Sequence, residues 1–209
     1  MDLFDLVAAA RRRLADELEQ LSPHDWQQPS LCAGWSTHVV AAHLNASWEF
    51  KLPAVVVALA RNRGSLDRAF DQLSRDLATH LPPQACIAGL RAHATDRFTP
   101  PLMGPEAPLT DVIVHGNDIL APLGRSVAVA PEALSVVLSW LSKGRAKGFL
   151  PGSRVQGLVF EGTDIAERSG DGPALVSGPT LAVITTLLGR TDRAQELTGD
   201  GVPVLLERL

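Results

Sequence analysis

The chain has 209 residues, 45% of them hydrophobic and 20% charged, which is the profile of a globular protein and not of a disordered or fibrous one. Nineteen Lys and Arg against 23 Asp and Glu give a formal net charge of -4, so no basic field is available to hold nucleic acid or an anionic membrane. No apolar run reaches the roughly 18–20 residues that span a bilayer, and MDLFDLVAAARRR carries acids before its apolar stretch and arginines after it, the reverse of a signal peptide. A cytoplasmic protein of one large or two small domains is expected, without nucleic-acid or membrane partners. Cys32 and Cys86 are the only cysteines, too few for a disulfide framework and not spaced as CxxC, so His and carboxylates are expected to hold any metal.

Leu3, Leu6, Val7, Ala10, Leu14, Leu18 and Leu21 recur at steps of three and four and predict an amphipathic helix from Asp2 to Leu21. Ser36 or Thr37 can cap a second helix whose inner face carries Val39, Val40, His43, Leu44, Ser47 and Trp48, with Pro53 kinking or ending it. A third helix reads from Ser65 to His80 and a fourth from about Gln84 to Phe98. After the Pro- and Gly-rich stretch TPPLMGPEAP (Thr99 to Pro108), Thr110 can cap a helix that runs to about Leu120, before Pro122 and Gly124 stop it. Residues 1–125 thus read as a helical bundle.

From 126 to 209 the pattern changes. A helix from Pro131 to about Lys147 precedes VQGLVFEG and ALVSG, two β-type runs separated by the turn signal Asp171-Gly172, which predicts a hairpin or small sheet. Helices at Pro179 to Gly189 and near Val202 to Leu209 would cover one face of it, making a small α+β domain. No internal repeat or low-complexity segment occurs, and the glycines form neither GxGxxG nor a Walker pattern, so no nucleotide fingerprint exists.

Asp111 and His115 are spaced i,i+4 on a predicted helix and share one face, with Asp118 at i+7 extending the stripe. With one His from another helix, such a pair has the ligand count of a catalytic zinc site. His43, among Val39, Val40 and Ala42, is the third candidate, since an imidazole on an inward face needs a polar partner. From spacing alone an exposed, salt-bridged Asp–His pair is the commoner outcome, and a lone His on an apolar face is more often hydrogen-bonded than metallated. Asp118 reads either as a hydrogen-bond partner of a ligand or as an exposed helix-end charge. His24, His38, His80 and His93 read as non-ligands, Cys32 as a packed thiol, and the four tryptophans as core or interhelix wedges. Arg190, after the helix stop Gly189, reads as solvated.

Several segments in order, WQQPSLCAGWSTHVVAAHL, APLTDVIVHGNDILAPLGR, VFEGTDIAERSGDGPALVSGP, LLGR and LTGDGVPVLLERL, resemble the maleylpyruvate isomerase family of mycothiol-dependent enzymes, within the DinB-like metal-binding helical bundles. The resemblance implies a mainly α fold, a DinB-like four-helix bundle followed by a small α+β domain. It implies a divalent metal, usually zinc, on His43, Asp111 and His115, and Arg190 meeting an anionic substrate. It further implies mycothiol as cofactor or co-substrate of an isomerase or S-transferase acting on a small electrophilic, carboxylate-bearing compound, in a monomer or homodimer. Two positions depart from common family patterns: Asp111 stands where Glu is frequent, which could retract the metal, and His38 stands where an acid is frequent. A non-catalytic metal- or small-molecule-binding module and a metal-assisted hydrolase are the rival readings.

Overall fold

A computed structural model describes residues 2–144, 146 and 148–209. The chain forms two compact units, one of residues 2–100 and 111–128, the other of the described residues of 101–110 and 129–209.

In the first unit, α1 (Leu3–Leu18) is capped by Asp2, whose carboxylate accepts from Phe4 N at 3.1 Å, and buries Leu6, Val7, Leu14 and Leu18. Arg11 also lies inside, only 5% exposed. Its Nη1 donates to the carbonyls of His93, Ala94 and Asp96, which closes the end of α6 (Pro83–Ala92) against α1. A buried guanidinium is tolerable there because carbonyls at a helix C-terminus carry partial negative charge.

The second predicted helix breaks. It appears as α2 (Thr37–His43), α3 (Ala46–Glu49) and α4 (Leu52–Arg61). The cause is Asn45, fully buried, whose Nδ2 donates to Ala41 O at 2.8 Å and Cys86 O at 3.3 Å while its Oδ1 accepts from Trp48 Nε1. The amide takes the carbonyl that the backbone N–H of residue 45 would have used in a continuing helix, and that N–H turns to Ala42 O instead. Gly89 makes room for it, since a Cβ there would lie 2.1 Å from Asn45 Oδ1. Pro53 then sits in the first turn of α4, where its missing N–H costs nothing.

Ser65 caps α5 (Leu66–Ala78), and α5 packs against α2 and α4. Helix α7 (Glu106–Leu120) starts one turn before the expected cap at Thr110. Pro108 falls within that first turn, where backbone N–H groups have no helical partner, and so does not delay the helix. Gly124, at φ +68°, accepts the left-handed conformation that ends the following one-turn helix Ala121–Leu123.

The second unit holds α8 (Pro131–Ser142), β1 (Leu158–Gly162), β2 (Glu167–Gly170), β3 (Ala174–Gly178), α9 (Thr180–Leu187) and α10 (Gly201–Leu206). Helix α8 is shorter than expected, and the predicted end at Lys147 lies outside the described residues. The strand order is β2-β1-β3, with β2 antiparallel and β3 parallel to β1. Asp171-Gly172 is therefore not a hairpin turn between VQGLVFEG and ALVSG. The hairpin is made at 163–166, and 171–173 carries the chain past the start of β1 to its other edge. The sequence ERSG of β2 shows no apolar alternation, which hides the strand that takes one edge of β1.

Helices α8 and α9 pack on β1, and α10 on β3 and β1. Asp164 ties the loop after β1 to the start of α9, accepting from Thr180 N at 2.8 Å and from the Thr180 hydroxyl. No helix among the described residues is long and apolar enough to cross a membrane.

Candidate metal centre

His43 closes α2, while Asp111 and His115 lie one turn apart on α7. The three bring one ligand atom each to within 4.8 Å of one another. Asp111 Oδ1 is 3.9 Å from His43 Nε2 and 3.4 Å from His115 Nε2, and the two imidazole centroids are 5.0 Å apart. The i,i+4 spacing on α7 thus brings Asp111 and His115 together as a partly exposed ion pair, and His43 meets it from α2.

Both imidazoles are held by their other nitrogen. Nδ1 of His43 hydrogen-bonds Ser74 Oγ of α5 at 3.0 Å, and Ser74 is fully buried. Nδ1 of His115 hydrogen-bonds Asp118 Oδ2 at 2.9 Å, and the Asp118 side chain is 0% exposed. Asp118 is therefore a partner of the candidate ligand, not a helix-end charge. Fixing Nδ1 in this way turns each Nε2 toward Asp111, the arrangement by which metal-ligating histidines are oriented. The donor set suits a borderline cation such as zinc: two imidazoles and one carboxylate, with room for an exogenous ligand. Asp111, at 36% exposure against 14% for His115, is the most accessible of the three.

The electrostatics follow. Burial disfavours the imidazolium of His115, yet its hydrogen bonds to Asp118 and Cys32, with the charge of Asp111, push its pKa up to about 10. Burial likewise opposes ionisation of Asp111, but His43 and the charge of His115 hold its carboxyl below the usual carboxylate range. With a folded pKa above the unfolded value near 6.5, His115 stabilises the cation-free fold fully below about pH 6.5 and loses that contribution as pH rises through about 10. Chelator-treated protein is expected to melt at progressively lower temperature between pH 7 and 10.5, and His115→Gln to flatten that slope, both measurable by circular dichroism.

The sequence reading missed the contribution of the loop 28–36. Its ends are pinned by a Pro29–Ser36 bridge, and Leu31 N donates to Asp118 O at 3.0 Å. It delivers two residues to His115. Cys32, read as a packed thiol, has Sγ donating to Asp118 Oδ2 at 3.1 Å and 3.6 Å from His115 Nδ1. Trp35, read as a core wedge, places its ring 5.2 Å from that of His43 and 6.5 Å from that of His115, walling one side of both. Asp71 anchors that indole, accepting from Trp35 Nε1 at 2.5 Å and from Arg75 Nε at 2.9 Å. No local motif announces these residues.

His38 bonds Leu81 O, with its ring edge-on to Trp26, and His93 pairs with Asp96. Arg190 belongs to the second unit, where its Nη1 donates to Leu188 O at 2.8 Å.

Against known proteins, residues 7–120 match the family described as Mycothiol maleylpyruvate isomerase N-terminal domain. The chain is similar in structure to a mycothiol-dependent maleylpyruvate isomerase, with 17% sequence identity, a TM-score of 0.54, and coverage of 95% of this chain and 93% of that one. It is similar to a histidine-to-alanine mutant of a mycothiol-dependent maleylpyruvate isomerase at 16% identity and a TM-score of 0.57, with the same coverage. No curated protein matches it by sequence.

Proposed function

Since the chain belongs to the mycothiol maleylpyruvate isomerase N-terminal domain family, we propose that it is a divalent-metal-dependent enzyme using mycothiol as cofactor or co-substrate. It acts as an isomerase or S-transferase on a small electrophilic compound bearing a carboxylate. The observation that carries this reading is the convergence of His43 Nε2, Asp111 Oδ1 and His115 Nε2, with both far nitrogens already engaged. These three residues would hold the cation. Zinc bound there would lower the pKa of a thiol and so supply a nucleophile for addition to, and expulsion from, an electrophilic carbon.

The chain's own residues then have distinct tasks. Ser74 and Asp118 keep the two imidazoles in one orientation, so that the carboxylate of Asp111 completes the set without rearrangement. Trp35 shields the imidazoles from water on one side. Arg190 is assigned to the carboxylate of the substrate, because a guanidinium can make two parallel hydrogen bonds to it. Lysine cannot reproduce that fork, so Arg190→Lys is expected to raise KM for the carboxylate substrate about tenfold, the equivalent of roughly 1.4 kcal/mol, and to leave thiol affinity unchanged. Steady-state kinetics with each reactant varied in turn checks this.

The reading as a whole is tested by following turnover of maleylpyruvate with and without mycothiol. Turnover that requires both the thiol and zinc, is lost on chelation and returns with added zinc is the expected result. Turnover with water and no thiol would favour a hydrolase. Tight ligand binding with neither activity would favour a binding module.

A further inference from the structure

His115 presents two nitrogens to two different donor sets. Beyond the trio on its Nε2 side, a second trio forms on its Nδ1 side: Cys32, Asp118 and His115 likewise bring their ligand atoms within 4.8 Å of one another. The separations are 3.1 Å from Sγ to Oδ2, 2.9 Å from Nδ1 to Oδ2 and 3.6 Å from Sγ to Nδ1. Zinc bonds of about 2.3 Å to sulfur and about 2.0–2.2 Å to nitrogen and oxygen give tetrahedral edges of roughly 3.3–3.6 Å between such donors. The sulfur–nitrogen edge already has that length, and the other two need to open by only a few tenths of an ångström.

We propose that Cys32, Asp118 and His115 Nδ1 form a second binding site, for a thiophilic divalent cation such as zinc or cadmium. The exchange balances: one dication enters, and the Cys32 S–H and the His115 Nδ1–H leave as two protons. Sulfur selects against magnesium, calcium and manganese, whose ligands are oxygen. Three protein donors leave a coordination position for water, so the ion can exchange. The site also has a consequence for the neighbouring trio. Occupying it removes the Nδ1–H that ties His115 to Asp118 and makes one imidazole serve two cations, so a thiophilic ion in excess inhibits.

This goes beyond the proposed activity and is separable from it. The test is cadmium titration of the full chain, read as the ultraviolet charge-transfer band of a cadmium–thiolate bond. A Cys86→Ser background is used, because Cys86 is buried and its Sγ points to Leu81 O. The band is expected to appear, saturate at one thiolate per chain, persist in His43→Ala, and vanish in Cys32→Ser and in His115→Ala. Zinc in excess is expected to suppress it by competition, and magnesium to leave it unchanged. Absence of the band at any cadmium ratio, or its survival in His115→Ala, overturns the proposal. Zinc lost from His43→Ala in a Cys32→Ser background, with the band intact where Cys32 is present, upholds both sites, and zinc retained in His43→Ala combined with Cys32→Ser defeats the first site alone.

Discussion

Replacing His115 with alanine is expected to strip the protein of its cation and to lower thiol-dependent turnover by about 10³-fold or more. The substitution removes one of three donors from the trio, and the two that remain, His43 Nε2 and Asp111 Oδ1, are 3.9 Å apart on different helices. It also deprives Asp118, whose side chain is 0% exposed, of its imidazole partner. Removing one partner of a buried charged pair costs about 3–5 kcal/mol, so a fall in melting temperature accompanies the loss of activity. His43→Ala separates the two effects. It removes a donor of the same trio, but its Nδ1 partner is only the Ser74 hydroxyl, so the cation and the activity are lost with a smaller penalty to the fold. Elemental analysis and thermal melting of the two variants side by side make that comparison. Comparable melting losses in both would mean that the Asp118 contact contributes little.

The second large effect concerns the fold. Gly172 lies where the chain passes from β2 to the far edge of β1, and a Cβ there would sit 1.9 Å from the carbonyl carbon of Gly157 and 2.2 Å from Leu158 N. Both are backbone atoms, so no side chain can swing aside. Gly172→Ala must displace the crossover or the start of β1, and with it the parallel pairing of Leu158 to Ala174. A cost above the roughly 1–3 kcal/mol usual for overpacking is expected, because the clash is with backbone that cannot swing aside, with a melting temperature lower by about 10 °C or more. Gly152→Ala is the control, since a Cβ there meets nothing within 4 Å. It is expected to change the melting temperature by no more than a degree or two.

What could be read in advance divides along a physical line. The apolar spacing of α1, the helix read from Ser65 and the i,i+4 pair on α7 are local signals, and each appears in the structure within a few residues of where the periodicity places it. His43 was legible because an imidazole on an apolar face demands a polar partner. Asn45 breaks its helix only because Cys86 and Trp48 are brought beside it, which no local pattern encodes. The strand β2 has no apolar alternation, and the parallel β1–β3 pairing depends on a glycine passing under another backbone. Cys32, Trp35, Asp71 and Ser74 join the candidate site through tertiary packing alone. Their residue types gave no warning: a lone thiol, a tryptophan, an acid and a serine are all ordinary in a helical bundle. By sequence Asp118 admits two readings, and the burial of its side chain decides between them.

The central claim is that His43, Asp111 and His115 hold a catalytic cation. Elemental analysis of tag-free wild-type protein and of His43→Ala and His115→Ala tests it most directly. Close to one tightly held zinc per chain in the wild type, lost in His115→Ala and, once Cys32 is also replaced by Ser, in His43→Ala, is the predicted result. A wild-type protein that carries no metal, even after zinc is added back and excess removed, would contradict it.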